Sequence, residues 1–325
     1  MSLRIATIVA CVALSIFPSC NEEFDPRSRL DEQMAVFSLL STDRTMQFVI
    51  VQTSYMPPEF DPLSYSSDNA LSDASVSIRE SSRIFRLRDT LLARSDTSRY
   101  KFPLRTYYIS PFTPQRGKSY QVIIQSPSRG QVSSNVTIPN QPFISLPSGM
   151  LQILDRPDRS PQDAPIVFVV QLSRDTKGFV GRLYLYYDVL KGSEWIEERA
   201  EIPVSSADSS SYSFDLPRYP QLAAAPLTYQ LGLVYRTGYY RAVINVLNSK
   251  YKSTRLIFKW ATFVILQADG NLFEYYSSTH ASQDPFSIRL DEPMVSRVSG
   301  GLGMVGAYTL DSLVNILPEN FWGNR

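Results

Sequence analysis

The chain has 325 residues, with 32 Lys and Arg set against 31 Asp and Glu, a single histidine and two cysteines. That balance excludes the basic footprint of a nucleic-acid-binding protein and a basic membrane-surface patch, so no nucleic-acid partner is expected. One histidine also excludes a histidine-based metal cluster, and the length allows about two domains.

Residues 1–4 are a short start carrying Arg4, residues 5–17 an apolar run too short to span a bilayer, and Ser19 a small residue directly before Cys20. From Asn21 the chain turns polar and acidic through Glu22, Glu23 and Asp25. This order of segments resembles a bacterial lipoprotein signal peptide, with residues 1–19 removed and Cys20 acylated. Phe17 and Pro18 stand where such signals usually have an aliphatic and a small residue, so an ordinary secretory signal with an incidental thiol is the alternative. Ser19 and the hydropathy break at Cys20 favour lipidation. A diacylglycerol plus an amide-linked chain exceeds the two signals that stable anchoring needs, so a membrane is the first expected partner. The 22–25 stretch resembles the export signal by which Bacteroidota place lipoproteins on the outer cell surface. The expected location is therefore the outer membrane, exposed at the surface, with the periplasmic face as the other option. Once Cys11 leaves with the signal and Cys20 is acylated, the mature fold has no thiol for a disulfide, a metal or nucleophilic catalysis.

Residues 20–30 read as a solvated tether. Residues 31–138 alternate short β-rich runs with turn residues, the runs falling at 34–40, 47–55, 75–79, 84–89, 99–104, 120–125 and 132–138. Val76 and Ile78, Phe85 and Leu87, then Val122 and Ile124 keep the two-residue period of a half-buried strand. Gly117-Lys118 and Ser128-Arg129-Gly130 supply turns. About seven strands in about a hundred residues predict an immunoglobulin-like or transthyretin-like sandwich. Residues 56–73, rich in Pro, Ser and Asp, read as a long loop. Pro139 and Pro142 mark a linker, because proline interrupts helix and strand interiors alike.

Residues 139–325 are expected to form a larger β-rich domain, with strands at 164–173, 179–189, 194–202, 228–235 and 256–267. In the segment 183–187 neither face is polar, which predicts cover on both sides. Val243, Ile244 and Leu247 share one helical face over 240–248, and Asp269 can cap a helix running through Phe273 and Tyr276 to about residue 282.

Residues 301–307 match the dinucleotide-binding glycine pattern letter for letter. That pattern carries its meaning only between a strand and a helix of a βαβ unit, so the glycines read instead as a bend or close backbone approach in a strand. His280, near the end of the predicted helix, reads as a surface imidazole rather than a triad member. Glu194, Glu197, Glu198 and Glu201 bracket Trp195, but they fall in one run with Lys191 and Arg199, which predicts a solvated hairpin rather than facing glycosidase carboxylates. Asp61, Asp68, Asn69 and Asp73 offer hard oxygen ligands without the regular spacing of a calcium loop. Tyrosines are abundant, and in β domains they mostly fill sheets. Tyr239, Tyr240 and Arg241, following Gly238, are the best sequence pointer to a binding surface. No catalytic residue, metal ligand or cofactor is expected.

Several segments together resemble one family. They are the region around Cys20, residues 71–78 (LSDASVSI) and 117–123 (GKSYQVI), 273–276 (FEYY), 284–286 (DPF) and 299–308 (SGGLGMVGAY). In that order they resemble the Bacteroidota lipoproteins grouped as domain of unknown function 4249. The resemblance implies an immunoglobulin-like N-terminal domain, a β-rich C-terminal domain, and the company of TonB-dependent outer-membrane transporters. It implies no catalytic residue. The expected function is thus a non-enzymatic surface lipoprotein that helps a transporter barrel capture or admit a ligand. A structural or adhesive surface protein is the alternative, and a hydrolase working through carboxylates alone is third; fold class does not separate them.

Overall fold

The computed structural model describes residues 32–55, 66–95, 97–98, 100–203, 222–280 and 296–324. The expected signal segment 1–19, Cys20 and the expected tether 20–30 lie outside these residues. In chain order the elements are β1 (Met34–Ser41), β2 (Gln47–Thr53), β3 (Ser75–Glu80), β4 (Arg83–Arg86), β5 (Arg88–Leu92), β6 (Leu104–Ile109), β7 (Ser119–Ser126) and β8 (Gly130–Thr137). Then follow β9 (Phe143–Ser145), α1 (Ser148–Asp155), β10 (Pro165–Gln171), β11 (Gly178–Lys191), β12 (Glu194–Ile202) and β13 (Ala223–Ala224). The chain continues with β14 (Gln230–Arg236), α2 (Thr237–Lys250), β15 (Leu256–Ala268), α3 (Gly270–His280) and β16 (Leu302–Ile316). The protein is mainly β, as its alternation predicts.

A nine-stranded sheet runs in the order β12-β11-β15-β16-β1-β2-β6-β5, with β13 added on β11. Two smaller sheets, β4-β3-β7-β8 and β14-β10-β9, complete the fold. The four-stranded sheet turns Val76, Ile78, Val122 and Ile124 inward, onto Val36, Leu40, Val49 and Val51 of the large sheet, which makes a two-layer sandwich. A second core packs β10, β14 and α2 against β11 and β15, centred on Phe168, Tyr235 and Phe263. The Phe168 and Phe263 rings stack with centroids 4.3 Å apart. Ile138 belongs to the first core, and Leu154 is the earliest fully buried residue of the second.

β16 links the two cores. It pairs in parallel with β1, from Ala35 against Leu302 to Ser41 against Tyr308, and antiparallel with β15, from Ala268 against Tyr308 to Trp260 against Ile316. Side chains alternate along a strand, so Val305 and Ala307 in the first core and Leu313 against the second all point to one face. Both cores therefore lie on the same face of the large sheet, and among the described residues its other face is turned outward.

Gln267 joins the layers between the cores. It is fully buried, its amide oxygen accepts from the Ser173 N–H (2.8 Å) and the Thr176 hydroxyl (2.9 Å), and its nitrogen donates to Asn140 O (2.8 Å) and Thr309 Oγ1 (3.3 Å). A buried amide with all its bonds made specifies geometry, because any other arrangement strands polar atoms away from water.

Several expectations are refined. The run at 84–89 divides at Leu87, where the chain leaves the four-stranded sheet and enters the large one; the Leu87 N–H still bonds Val76 O at 2.9 Å. The run at 99–104 gives way to β6 beginning at Leu104, because Pro103 has no N–H for a ladder. The helix at 240–248 extends to α2, and α1 forms where no helix is expected. The glycines of 301–307 do serve close backbone approach within a strand. Gly303 takes φ +103°, and a Cβ there would collide with the Val36 carbonyl oxygen of the paired strand. Gly303→Ala is expected to lose about 2–4 kcal/mol of stability, from backbone strain and a displaced β1–β16 ladder. Urea unfolding of the variant against the parent measures it, with the parent's unfolding slope retained.

Candidate functional site

The outward face of the large sheet holds a cleft of about 480 Å³. Its floor comes from three adjacent strands: Val180 of β11 lies opposite Leu266 of β15, which lies opposite Leu310 of β16, with Val264 two residues along. Leu272 and Tyr276 of α3 form the wall. That helix is seated by Asp269, whose buried carboxylate accepts the Leu272 N–H at its N-terminus (3.0 Å) and the Ala307 N–H of β16 (3.0 Å). Asn271 adds side-chain bonds to Val305 O (2.9 Å) and Asn135 O (2.8 Å). Gly306 permits the close approach, since a Cβ there would lie 2.8 Å from Leu272 Cβ. Burial pushes the Asp269 carboxyl up to about 6, against the pull of the Leu272, Ala307 and Asn271 N–H groups.

One end of the cleft is polar. Arg182 pairs with Glu201 at 3.0 Å and donates to the Tyr184 hydroxyl at 3.3 Å. Arg199 reaches across from β12, its guanidinium 4.6 Å from the centre of the Tyr184 ring, and donates to the Tyr186 hydroxyl at 3.4 Å. Among the described residues Arg199 has no carboxylate in ion-pair contact. The site can offer apolar contact, an aromatic face and charged donors to a molecule of small-ligand size.

The sequence-predicted binding residues divide. Tyr239 and Arg241 line a separate polar concavity of about 660 Å³ with Arg236 and Asn245, and Arg241 lies 5.7 Å from the Trp322 ring centre. Tyr240 is not a surface residue: the helical period turns it inward with Val243, Ile244 and Leu247, and it is 0% exposed. Burial holds its phenol far above the usual range, and its hydroxyl has no hydrogen-bond partner among the described residues. Cys20 lies outside the described residues.

The other motifs resolve as follows. Glu194–Ile202 forms the outer strand of a hairpin, as expected, and the carboxylates of Glu197, Glu198 and Glu201 take local partners. Glu197 pairs with Lys259 (3.0 Å), while Glu198 accepts from Lys191 (2.6 Å), Tyr187 (3.0 Å) and Tyr251 (2.9 Å). Asp73 is engaged by the Ser126 hydroxyl and the Ser128 N–H, and Asp68 accepts the Ala70 N–H; Asp61 lies outside the described residues. His280 ends α3. Among the described residues no group of three or more His, Cys, Asp or Glu is arranged to hold a metal ion. The segment 183–187, expected to be covered on both faces, is covered fully on one. Leu183, Leu185 and Tyr187 are core, whereas Tyr184 and Tyr186 are half-buried under Arg199 and Trp260. The roles of Arg182, Arg199 and Tyr184 escape sequence reasoning; their one signal is alternation of Arg182, Tyr184 and Tyr186 on a single face of β11.

The chain matches no protein-family model and no curated protein. No helix among the described residues is long and apolar enough to cross a membrane.

Two outcomes follow from these burials. Tyr240→Phe removes a hydroxyl without stranding a partner, so it should change stability by less than about 1 kcal/mol, whereas Tyr240→Ala should cost about 3–5 kcal/mol in thermal or urea unfolding. Asp269 has a folded pKa raised above its unfolded value of 3.8, so its contribution is fully favourable below that value and is lost as pH rises through 6. Asp269→Asn keeps an acceptor oxygen but cannot ionise. Relative to the parent, it should therefore gain on the order of 2 kcal/mol between pH 4 and pH 7. Paired urea titrations at those pH values measure the difference.

Proposed function

We propose that the protein is a lipid-anchored outer-membrane lipoprotein, exposed at the cell surface, which captures a ligand for a TonB-dependent transporter and catalyses no reaction itself. The observation that carries this reading is the arrangement around Cys20: a short apolar run, Ser19, the cysteine and an acidic polar stretch. The resemblance to domain of unknown function 4249, resting on the segments quoted for it, supplies the transporter. A small-ligand-sized cleft on the open face of the large sheet supports capture rather than chemistry, its described side chains being mostly aliphatic or aromatic. The adhesive alternative draws on the outward strip at the end of β16, where Val314 is 54% and Ile316 77% exposed.

The test has two parts. Metabolic labelling with a radioactive fatty acid should mark the parent chain, and Cys20→Ser should lose both the label and the membrane fraction. Gentle detergent extraction of the tagged native lipoprotein should recover one stoichiometric outer-membrane barrel, identified by mass spectrometry. An unlabelled parent chain overturns the anchor, and recovery of the lipoprotein alone overturns the transporter partnership.

A further inference from the structure

We infer that the cleft between α3 and the outward sheet face binds a small apolar monocarboxylate, its hydrocarbon body on the Val180–Leu266–Leu310 floor and its carboxylate on Arg199. The inference deepens the ligand-capture reading and rests on it for its biological sense.

Three features of the cleft lead there. Its volume, about 480 Å³, lies within the range of small-molecule sites, and its floor and wall are aliphatic apart from Tyr276. Such a surface takes up a hydrocarbon body by removing apolar area from water on both sides. Its polar end sets the charge of the ligand. Glu201 is engaged with Arg182 at 3.0 Å, whereas Arg199 makes a ring contact and one long hydroxyl bond, and no ion pair among the described residues. A carboxylate beside Arg199 would give that guanidinium an ion-pair partner, and a guanidinium fork suits carboxylate geometry. A cation on the ligand would meet Arg199 as a like charge, which disfavours simple amines. The site is also built rather than incidental. Asp269, Asn271 and Gly306 fix α3 on the sheet through a buried carboxylate, two amide bonds and a close approach, so the wall stands at a set distance from the floor.

Isothermal titration with octanoate, and with 1-octanol as its uncharged counterpart, tests this on the full chain carrying Cys20→Ser. Octanoate should bind saturably with one site per chain, and octanol about tenfold more weakly, as expected for loss of a charge-assisted hydrogen bond. Arg199→Gln should bring octanoate down to the affinity of octanol while leaving octanol unchanged. Val264→Trp, which fills the floor, should abolish both, with the melting midpoint of each variant checked against the parent. Absence of saturable octanoate binding, or octanoate binding indifferent to Arg199→Gln, overturns the inference. The titration needs no transporter. Octanoate binding without a co-purifying barrel would sink the partner and keep the site, and the converse would sink the site alone.

Discussion

The structure depends on β16 having a partner on each side. Its parallel pairing with β1 joins strands from opposite ends of the chain, and its antiparallel pairing with β15 extends the same sheet into the second core. Parallel pairing over so long a separation carries a large loop-closure entropy, which only burial on the far side offsets. Val305 and Ala307 supply that burial in the first core, with Leu313 beside the second. The glycines of the strand remove the obstacle to it, since at position 303 any side chain would enter the space of the β1 backbone.

Polar groups then fix what apolar packing leaves loose. Hydrophobic contact is non-directional and would tolerate many angles between the two small sheets and the large one. Gln267 allows few of them, because its four hydrogen bonds come from the Asn140 linker, the loop after β10 and β16. Asp269 does the same for α3, binding a helix terminus and a sheet strand through one carboxylate. The Arg116–Asp311 pair at 2.7 Å adds a third link, from the β6–β7 connection to β16.

These constraints place both cores on one face of the large sheet, and among the described residues α3 is the helix laid across the other. Among the described residues that face leaves Val314 and Ile316 exposed at the end of β16. The β12 edge is managed differently. Glu194, Glu197, Glu198 and Arg199 give that strand a charged exterior, which discourages a further strand from adding there. A protected edge beside an open, aromatic and partly apolar face is the arrangement expected where recognition uses side chains on the sheet rather than its backbone.

Much of the fold was legible in local period. The alternation of Val76 with Ile78 and of Val122 with Ile124, and the helical face of Val243, Ile244 and Leu247, are statements about near neighbours, and each matches its element. Partnership was not legible. Nothing in residues 34–41 or 302–316 names the other as its neighbour, and the switch of sheets at Leu87 leaves the alternation undisturbed. Tyr239 and Tyr240 read alike in sequence, yet only the packing of α2 decides that one faces a concavity and the other the core. The cleft is the plainest case, because Val180, Leu266 and Leu310 are ordinary strand residues until three registers set them side by side. A period records which face a residue takes, whereas a site requires knowing what stands across from it, and that is settled only when distant strands pair.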